Sequence, residues 1–353
     1  MPVYRHRIVF NIAKNLIAFL NLDVGLIRGR VPDFGSTSKQ IPGQSKQHEQ
    51  HERTQARSDA HLKTEKPRRQ PEKIAPVRRV DPNNIIWILG SPRTGSTWLS
   101  RILGELENHS VWNEPHFGVI LARNYIVNKE HLIRKDFILS EPYRDVWIRS
   151  MRNLFLDVCE ARFPNIRPRH YLVVKEPNGS LSAPLIMEAF PESKLMFLIR
   201  DGRDVVASVL DATRKGGWDK RGIHEASKQS DEKFVEQLAL NYVAHIGAVK
   251  EAYAGHPDDL KAMIQYEELR KRPFECIRDA YRALQIEVNE AQLREVVQKH
   301  SWDNIPDEKK GRGKFFRKAQ PGSWKEDLTE EQVKTVERVI GDLTVEFYAP
   351  VRR

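Results

Sequence analysis

The chain has 353 residues, a mass of 41.0 kDa and a formal net charge of +10, which allows one large domain with an extension or two modest domains. The charge is uneven, because residues 1–80 contain 16 Lys and Arg against 7 Asp and Glu, whereas the other 273 residues contain 42 against 41. The basic excess therefore belongs to the N-terminal part. Residues 35–80 hold no aromatic side chain that could stack on bases, so we expect no nucleic-acid partner.

Cysteine number and hydropathy narrow the expected compartment. Two cysteines, Cys159 and Cys276, are too few for a disulfide framework, and they lack the spacing of metal ligands. This indicates a reducing compartment. A single disulfide between the two is the alternative that stays open. No run of about 18 apolar residues occurs. The apolar stretch near the N-terminus is interrupted by Lys14 and has no small-residue cleavage site. We expect a cytoplasmic protein with no transmembrane helix and no signal peptide.

The first 82 residues are predicted to form an extension in two parts. Residues 6–27 have helical periodicity with a polar and an apolar face. The arginines within residues 1–30 favour peripheral contact with an acidic membrane, and packing of this helix on its own domain is the open alternative. From Pro32 to Pro82 the composition is polar and basic, which predicts a disordered linker. The main folded domain is then expected over residues 83–353.

Strand and helix patterns alternate after residue 83. Short apolar runs predict strands at 85–90, 171–175, 194–199 and 260–265. A helical stretch follows each of them, so the sheet is expected to be parallel. The predicted fold class is α/β, with three α/β/α layers around a central parallel sheet. Two segments interrupt the alternation, and we predict inserted helices over 121–165 and a mobile loop bordering the substrate over 212–230.

The segment Gly90–Thr97 links the first strand to a helix that starts near Gly95. A glycine-bearing loop between a buried strand and a helix is an anion site, because free backbone N–H groups and the positive end of the helix converge there. An ATP-binding loop of this frame carries a lysine where this chain has Ser96. The cation here is Arg93, inside the loop. Because this lysine is missing, a P-loop nucleotide kinase is the alternative function that we favour least.

Three separated motifs match the pattern of one enzyme family. Pro92–Trp98 combines an arginine, a small residue, glycine and two hydroxyls; Arg200 precedes Ser208 by eight residues; Phe316–Lys325 reads Phe-Arg-Lys-Ala-Gln-Pro-Gly-Ser-Trp-Lys. Together they resemble the sulfotransferases, which take a sulfonyl group from 3′-phosphoadenosine-5′-phosphosulfate (PAPS). The resemblance extends over roughly residues 84–345 and implies the P-loop NTPase-like sulfotransferase fold.

The resemblance also implies which residues bind the donor. The first loop would hold the 5′-phosphosulfate, Arg200 and Ser208 the 3′-phosphate, and the closing loop, residues 316–325, would reach the 3′-phosphate through Arg317 and Lys318. Ala319 departs from the family's glycine, and alanine resists positive φ. Tyr266 matches a tyrosine that lines the adenine pocket. The expected donor site is Arg93, Thr94, Gly95, Ser96, Thr97, Trp98, Arg200, Ser208, Tyr266, Arg317 and Lys318.

Sulfonyl transfer needs a base for the acceptor proton and cations on the leaving side, and it requires no metal. The resemblance implies that Lys175, at a strand end, touches the sulfonate, and we expect Arg93 to act on the same side. Small-molecule sulfotransferases place a histidine two residues after this lysine, where this chain has Pro177. Glu114 matches the glutamate base of tyrosylprotein sulfotransferases and is our expected base.

The identity of the base bears on the acceptor. Glu176 and His116 stay open as alternative bases. A glutamate base and the helical insert at 121–165 favour a carbohydrate or glycolipid acceptor with a hydroxyl or amine group, so the chain resembles the glutamate-base carbohydrate and tyrosylprotein enzymes more than the histidine-base small-molecule enzymes. A peptide tyrosine or a small molecule is the alternative acceptor. The sequence carries no indication of the oligomeric state.

Overall fold

The computed structural model of the chain describes residues 78–126, 132–214, 216–219 and 230–348. The amphipathic segment 6–27, its expected membrane contact through residues 1–30 and nearly all of the linker lie outside the described residues. The same holds for most of the predicted loop at 212–230. Within the described part of the chain, no helix has the length and apolar character that a bilayer crossing requires.

A five-stranded sheet forms the centre of the described domain. Its strands are β1 (Ile85–Gly90), β2 (His109–Asn113), β3 (Tyr171–Lys175), β4 (Lys194–Ile199) and β5 (Lys261–Gln265). All pairs are parallel, and the spatial order is β2-β3-β1-β4-β5. The four predicted strands and the parallel sheet are confirmed. Strand β2 was not predicted, because it lies at the sheet edge, is only partly buried and has no apolar run.

Twelve α-helices surround or follow the sheet in the described ranges. They are α1 (Ser96–Gly104), α2 (Phe117–Leu121), α3 (Arg144–Arg162), α4 (Ala183–Ala189), α5 (Gly202–Thr213), α6 (Asp231–Gly255), α7 (Tyr266–Lys271), α8 (Pro273–Ala283), α9 (Glu290–Lys299), α10 (Trp324–Asp327), α11 (Glu330–Ile340) and α12 (Val345–Tyr348). Helix α3 and a π-helical turn at Ala122–Ile126 lie within the segment 121–165, where inserted helices were predicted.

The side chains of β1 show why the domain has three layers. All six residues of the strand are buried. Ile85 and Trp87 point into a core built with α3, α4 and α6, whereas Ile86 and Ile88 point into a second core built with α1, α8 and α9. A strand buried on both faces reads as a continuous apolar run because successive side chains alternate between two apolar layers. The predicted three-layer α/β/α arrangement is confirmed.

The strand order decides which residues meet at the functional edge of the sheet. Parallel strands end on the same side, where open α/β sheets bind their ligands. Across the sheet, these ends present Glu114 after β2, Lys175 on β3, Gly90 on β1, Arg200 after β4 and Tyr266 after β5. Residues far apart in sequence therefore share one edge, with Glu114 and Lys175 on one side of the β1 loop and Arg200 and Tyr266 on the other.

Candidate active site

The loop between β1 and α1 is fixed by internal hydrogen bonds. The N–H of Gly90 donates to Ser180 Oγ at 2.9 Å, and Thr94 Oγ1 donates to the carbonyl of Ser91 at 2.8 Å. Gly95 precedes α1 with a φ of +92°, and a Cβ there would lie 2.6 Å from the ring of Tyr266. The loop therefore needs glycine at 95 both for its backbone conformation and for its contact with the tyrosine.

A pocket opens beside this loop and gathers the predicted donor-binding residues. Ten of these eleven residues line the pocket. The exception is Thr94, which is fully buried and donates a hydrogen bond within the loop. The lining residues are Arg93, Gly95, Ser96, Thr97, Trp98, Arg200, Ser208, Tyr266, Arg270, His300, Trp302, Ile305, Phe315, Phe316, Arg317, Lys318 and Ala319. Four segments distant in sequence thus build one concave surface.

Positive charge is concentrated at one end of the pocket. Arg93 Nε donates to Ser208 Oγ at 3.2 Å, and Arg200 Nη1 donates to the carbonyl of Arg93 at 3.2 Å. Burial, together with the charges of Arg200 and Arg317, lowers the pKa of Arg93 to about 10. Arg200 Nε is buried and has no hydrogen-bond partner within the described part of the chain. Clustered guanidinium groups with a spare donor are suited to a multiply charged anion.

The side chain of Arg93 contacts Ser208, one of the two residues predicted to hold the 3′-phosphate. We expected it on the leaving side of the sulfonyl group, with Lys175. Its backbone is left-handed, with a φ of 71°, and its guanidinium group lies 5.1 Å from the ring of Trp218 and 4.9 Å from that of Phe315. Together with its bond to Ser208, this conformation groups Arg93 with the residues predicted to hold the 3′-phosphate.

The closing loop forms another wall of the pocket. Ala319 adopts a φ of 50°, so it takes the left-handed conformation in which the family carries glycine. Arg317 Nη2 donates to Ser323 Oγ at 2.9 Å, and Lys318 Nζ lies 2.8 Å from Glu326. Asp327 accepts hydrogen bonds from both basic side chains. The two cations therefore line the pocket while carboxylates of α10 hold them in place.

Aromatic rings lie against the arginines of the pocket. The guanidinium carbon of Arg200 lies 4.3 Å from the ring centre of Tyr266. That of Arg270 lies 5.3 Å from Trp98 and 5.9 Å from Trp302, and Arg270 Nε donates to the carbonyl of Ala319 at 2.9 Å. Sequence reasoning missed Arg270 and Trp302. Arg270 could have been found, because it lies one helical turn after Tyr266 on α7.

An ion pair lies at the ends of β2 and β3. Lys175 Nζ donates to Glu114 Oε1 at 2.5 Å and reaches Thr97 Oγ1 at 3.4 Å. Asn178 Nδ2 donates to the other oxygen of Glu114 at 2.6 Å. The lysine side chain is 6% exposed and that of the glutamate 32%. Thr97 lies in the first turn of α1 and also lines the pocket, so it links the pair to the predicted donor-binding residues. Sequence reasoning missed Asn178.

The two alternative bases have different surroundings. Glu176 is completely buried and accepts a hydrogen bond from the N–H of Gly118 at 3.0 Å, at the start of α2. Burial raises the pKa of Glu176 to about 8. His116 precedes α2 with a φ of 63° and is exposed. Of the three candidates, Glu114 is the one that contacts Lys175.

Comparison with known proteins identifies the family. Residues 83–347 match the family model of the sulfotransferase domain. The chain belongs to the sulfotransferase family, whose sulfonyl donor is PAPS. It is therefore a sulfotransferase, and the nucleotide kinase alternative is set aside. The described residues contain no group of three or more side chains placed to hold a metal ion.

Individual relatives are distant. The chain is 20% identical over 281 residues to cytosolic sulfotransferase 17 of Arabidopsis thaliana, and the alignment covers 72% of each chain. It is similar to a mouse sulfotransferase complexed with PAP, at 14% identity, a TM-score of 0.49 and coverage of 74% of this chain and 85% of that one. It is also similar to the sulfotransferase domain from the curacin biosynthetic pathway, at 17% identity, a TM-score of 0.47 and coverage of 75% and 98%.

Proposed function

We propose that the pocket binds PAPS with its 3′-phosphate against Arg93, Arg200 and Ser208. The observation that carries this proposal is the buried guanidinium cluster, in which Arg200 Nε is left without a partner among the described residues. Two arginines and a hydroxyl give a dianionic phosphate several charge-assisted hydrogen bonds. Adenosine triphosphate has no 3′-phosphate, so this end of the pocket would distinguish the two nucleotides.

The proposed position of the 3′-phosphate indicates where the other parts of the donor would lie. Residues 94–97 of the loop would hold the 5′-phosphosulfate at the start of α1, where backbone N–H groups have no partner inside the helix. The adenine ring would lie in the pocket among Trp98, Tyr266 and Trp302. Arg317 and Lys318 would close over the 3′-phosphate from the closing loop. These assignments keep all eleven predicted donor-binding residues and move Arg93 from the leaving side to the 3′-phosphate.

We assign the chemistry to Glu114 and Lys175. Glu114 accepts the proton of the acceptor hydroxyl, whose oxygen forms a bond to sulfur as the bond from sulfur to the bridging oxygen of the 5′-phosphate breaks. Lys175 donates a hydrogen bond to that bridging oxygen, on which the negative charge develops. Asn178 orients the carboxylate through its second oxygen. The contact of Glu114 with Lys175 supports Glu114 over Glu176 as the base.

For the acceptor we propose a carbohydrate or glycolipid hydroxyl. Pro177 stands where the histidine of small-molecule sulfotransferases is expected, and a carboxylate occupies the position of the base beside Lys175. Both features favour the glutamate-base type of the family. We further propose that residues 83–353 form the transferase domain, and that residues 1–82 form an extension whose first 30 residues bring it to a membrane surface.

An acceptor screen with labelled PAPS tests the acceptor assignment. The wild type and Glu114→Gln are incubated with glycans, glycolipids, tyrosine peptides and small alcohols or phenols. We expect label on glycans or glycolipids with the wild type and a loss of that label with Glu114→Gln. Label on small phenols alone would overturn the carbohydrate assignment in favour of a small-molecule enzyme, and label on peptides alone would favour a tyrosylprotein enzyme.

A further inference from the structure

The buried carboxylate of Asp204 lies behind the donor pocket and connects two of its parts. It has no exposed surface and lies in the first turn of α5. Oδ2 accepts a hydrogen bond from the N–H of Gly322 at 2.8 Å and lies 3.6 Å from Arg200 Nη2. Oδ1 accepts from the N–H of Trp324 at 3.0 Å and from Ser323 Oγ at 3.3 Å. Four donors therefore converge on one carboxylate.

Helix α5 continues this pattern along one face. Ser208, four residues after Asp204, contacts Arg93. Asp211, three residues further, accepts a hydrogen bond from the N–H of Gly313 at 2.8 Å, just before the closing loop. Residues at spacings of three and four lie on the same side of a helix. This face of α5 therefore contacts the chain on both sides of Arg317 and Lys318, and it also contacts the arginine of the β1 loop.

We propose that Asp204 is a positioning residue that couples Arg200 to the closing loop and so determines selectivity for nucleotides with a 3′-phosphate. The proposal rests on the donor site assigned under Proposed function. Asp204 does not line the pocket, so it acts through Arg200 and through the backbone of residues 322–324.

Charge explains why a carboxylate is needed at this position. Arg93, Arg200 and Arg317 lie close enough for the charges of the other two to lower the pKa of Arg93. A buried guanidinium group at 8% side-chain exposure is costly without a counter-charge. Asp204 supplies that charge from the side away from the pocket. Arg200 is thereby held among the residues that line the pocket, and the same carboxylate holds the closing loop.

Calorimetric titration with two nucleotides tests this role. Adenosine 3′,5′-bisphosphate (PAP) and adenosine 5′-phosphate (AMP) differ only in the 3′-phosphate. In Asp204→Asn we expect the Kd for PAP to rise by about 10-fold or more, as for a lost hydrogen bond to a charged group, while the Kd for AMP changes less than about twofold. In transfer assays the KM for PAPS should rise with little change in kcat. An unchanged ratio of the two Kd values in a folded variant would overturn the proposal.

Two further variants keep the test decisive. Ser323→Ala removes the longest of the three hydrogen bonds to Asp204, and we expect it to lower the PAP-to-AMP selectivity by about threefold. If Asp204→Asn does not fold, unchanged selectivity in Ser323→Ala overturns the proposal. Asp201→Asn neutralises the carboxylate that caps α5 and pairs with Arg203, so it should retain the wild-type selectivity. A wild type that binds both nucleotides equally would instead overturn the donor site itself.

Discussion

The donor pocket and the acceptor end of the active site are built in different ways. The pocket draws its side chains from several segments distant in sequence and is lined by both cations and aromatic rings. The acceptor end depends on one ion pair, Lys175 with Glu114, and on the amide of Asn178. A nucleotide has fixed charges at fixed distances, so its binding residues recur at fixed spacings. The acceptor imposes no such spacing, and its class must be inferred from the base alone.

The largest effect is expected at the acceptor end. Glu114→Gln retains the size of the side chain but cannot accept the acceptor proton, so kcat should fall by about 10²- to 10⁴-fold. The Kd for PAP should stay within about threefold of the wild type, because Glu114 does not line the donor pocket. Single-turnover transfer and calorimetry on the same preparation measure the two quantities. Normal turnover by this variant would remove Glu114 from the mechanism.

The next effect should be confined to the donor pocket. Arg200→Lys keeps the positive charge but loses the fork that reaches Arg93 and the 3′-phosphate, so PAP should bind about 10- to 100-fold more weakly. Turnover at saturating PAPS should change by less than about threefold. Substrate titration separates KM from kcat. A fall in kcat with unchanged KM would show that Arg200 acts in the transfer step, which would contradict its assignment to donor binding alone.

A smaller effect is expected in the closing loop. Ala319 has a φ of 50°, and a left-handed conformation costs a non-glycine residue about 1–2 kcal/mol. Ala319→Gly should therefore raise the free energy of unfolding by up to about 1 kcal/mol, after allowance for the greater entropy of glycine in the unfolded chain. The matched control, Ala283→Gly at the end of α8, should destabilise the protein. Denaturant unfolding measures both, and destabilisation by Ala319→Gly would contradict the strain argument.

Sequence reasoning succeeded where a short run of residues carries the whole pattern. The buried strands β1 and β4 read as apolar runs, and the structure has them where the sequence predicts them. It failed where position depends on tertiary contacts. Edge strand β2 has no apolar run because it is only partly buried. The left-handed backbone of Arg93, with a φ of 71°, was also not predicted. Asn178 and Asp204 meet their partners 64 and 118 residues away, which local patterns do not encode.

The last prediction concerns pH and stability near the acceptor end. Burial raises the pKa of Glu176 from 4.5 to about 8, and the charge of Glu114 adds to this. The folded state therefore keeps a proton that the unfolded state loses, and this contribution to stability is present below pH 4.5 and is lost as the pH rises towards 8. Glu176→Gln has no such titration. Thermal unfolding should show the Tm of the wild type falling relative to the variant between these pH values, and parallel curves would contradict the assignment.

The central claim is that the pocket recognises the 3′-phosphate of the sulfonyl donor, and titration of the wild-type protein with PAP and with ATP plus Mg²⁺ tests it most directly. The cluster of Arg93, Arg200 and Ser208 predicts that PAP binds at least about 10-fold more tightly than ATP, because only PAP carries a 3′-phosphate that these groups would bind. Tighter binding of ATP with Mg²⁺ would contradict the account.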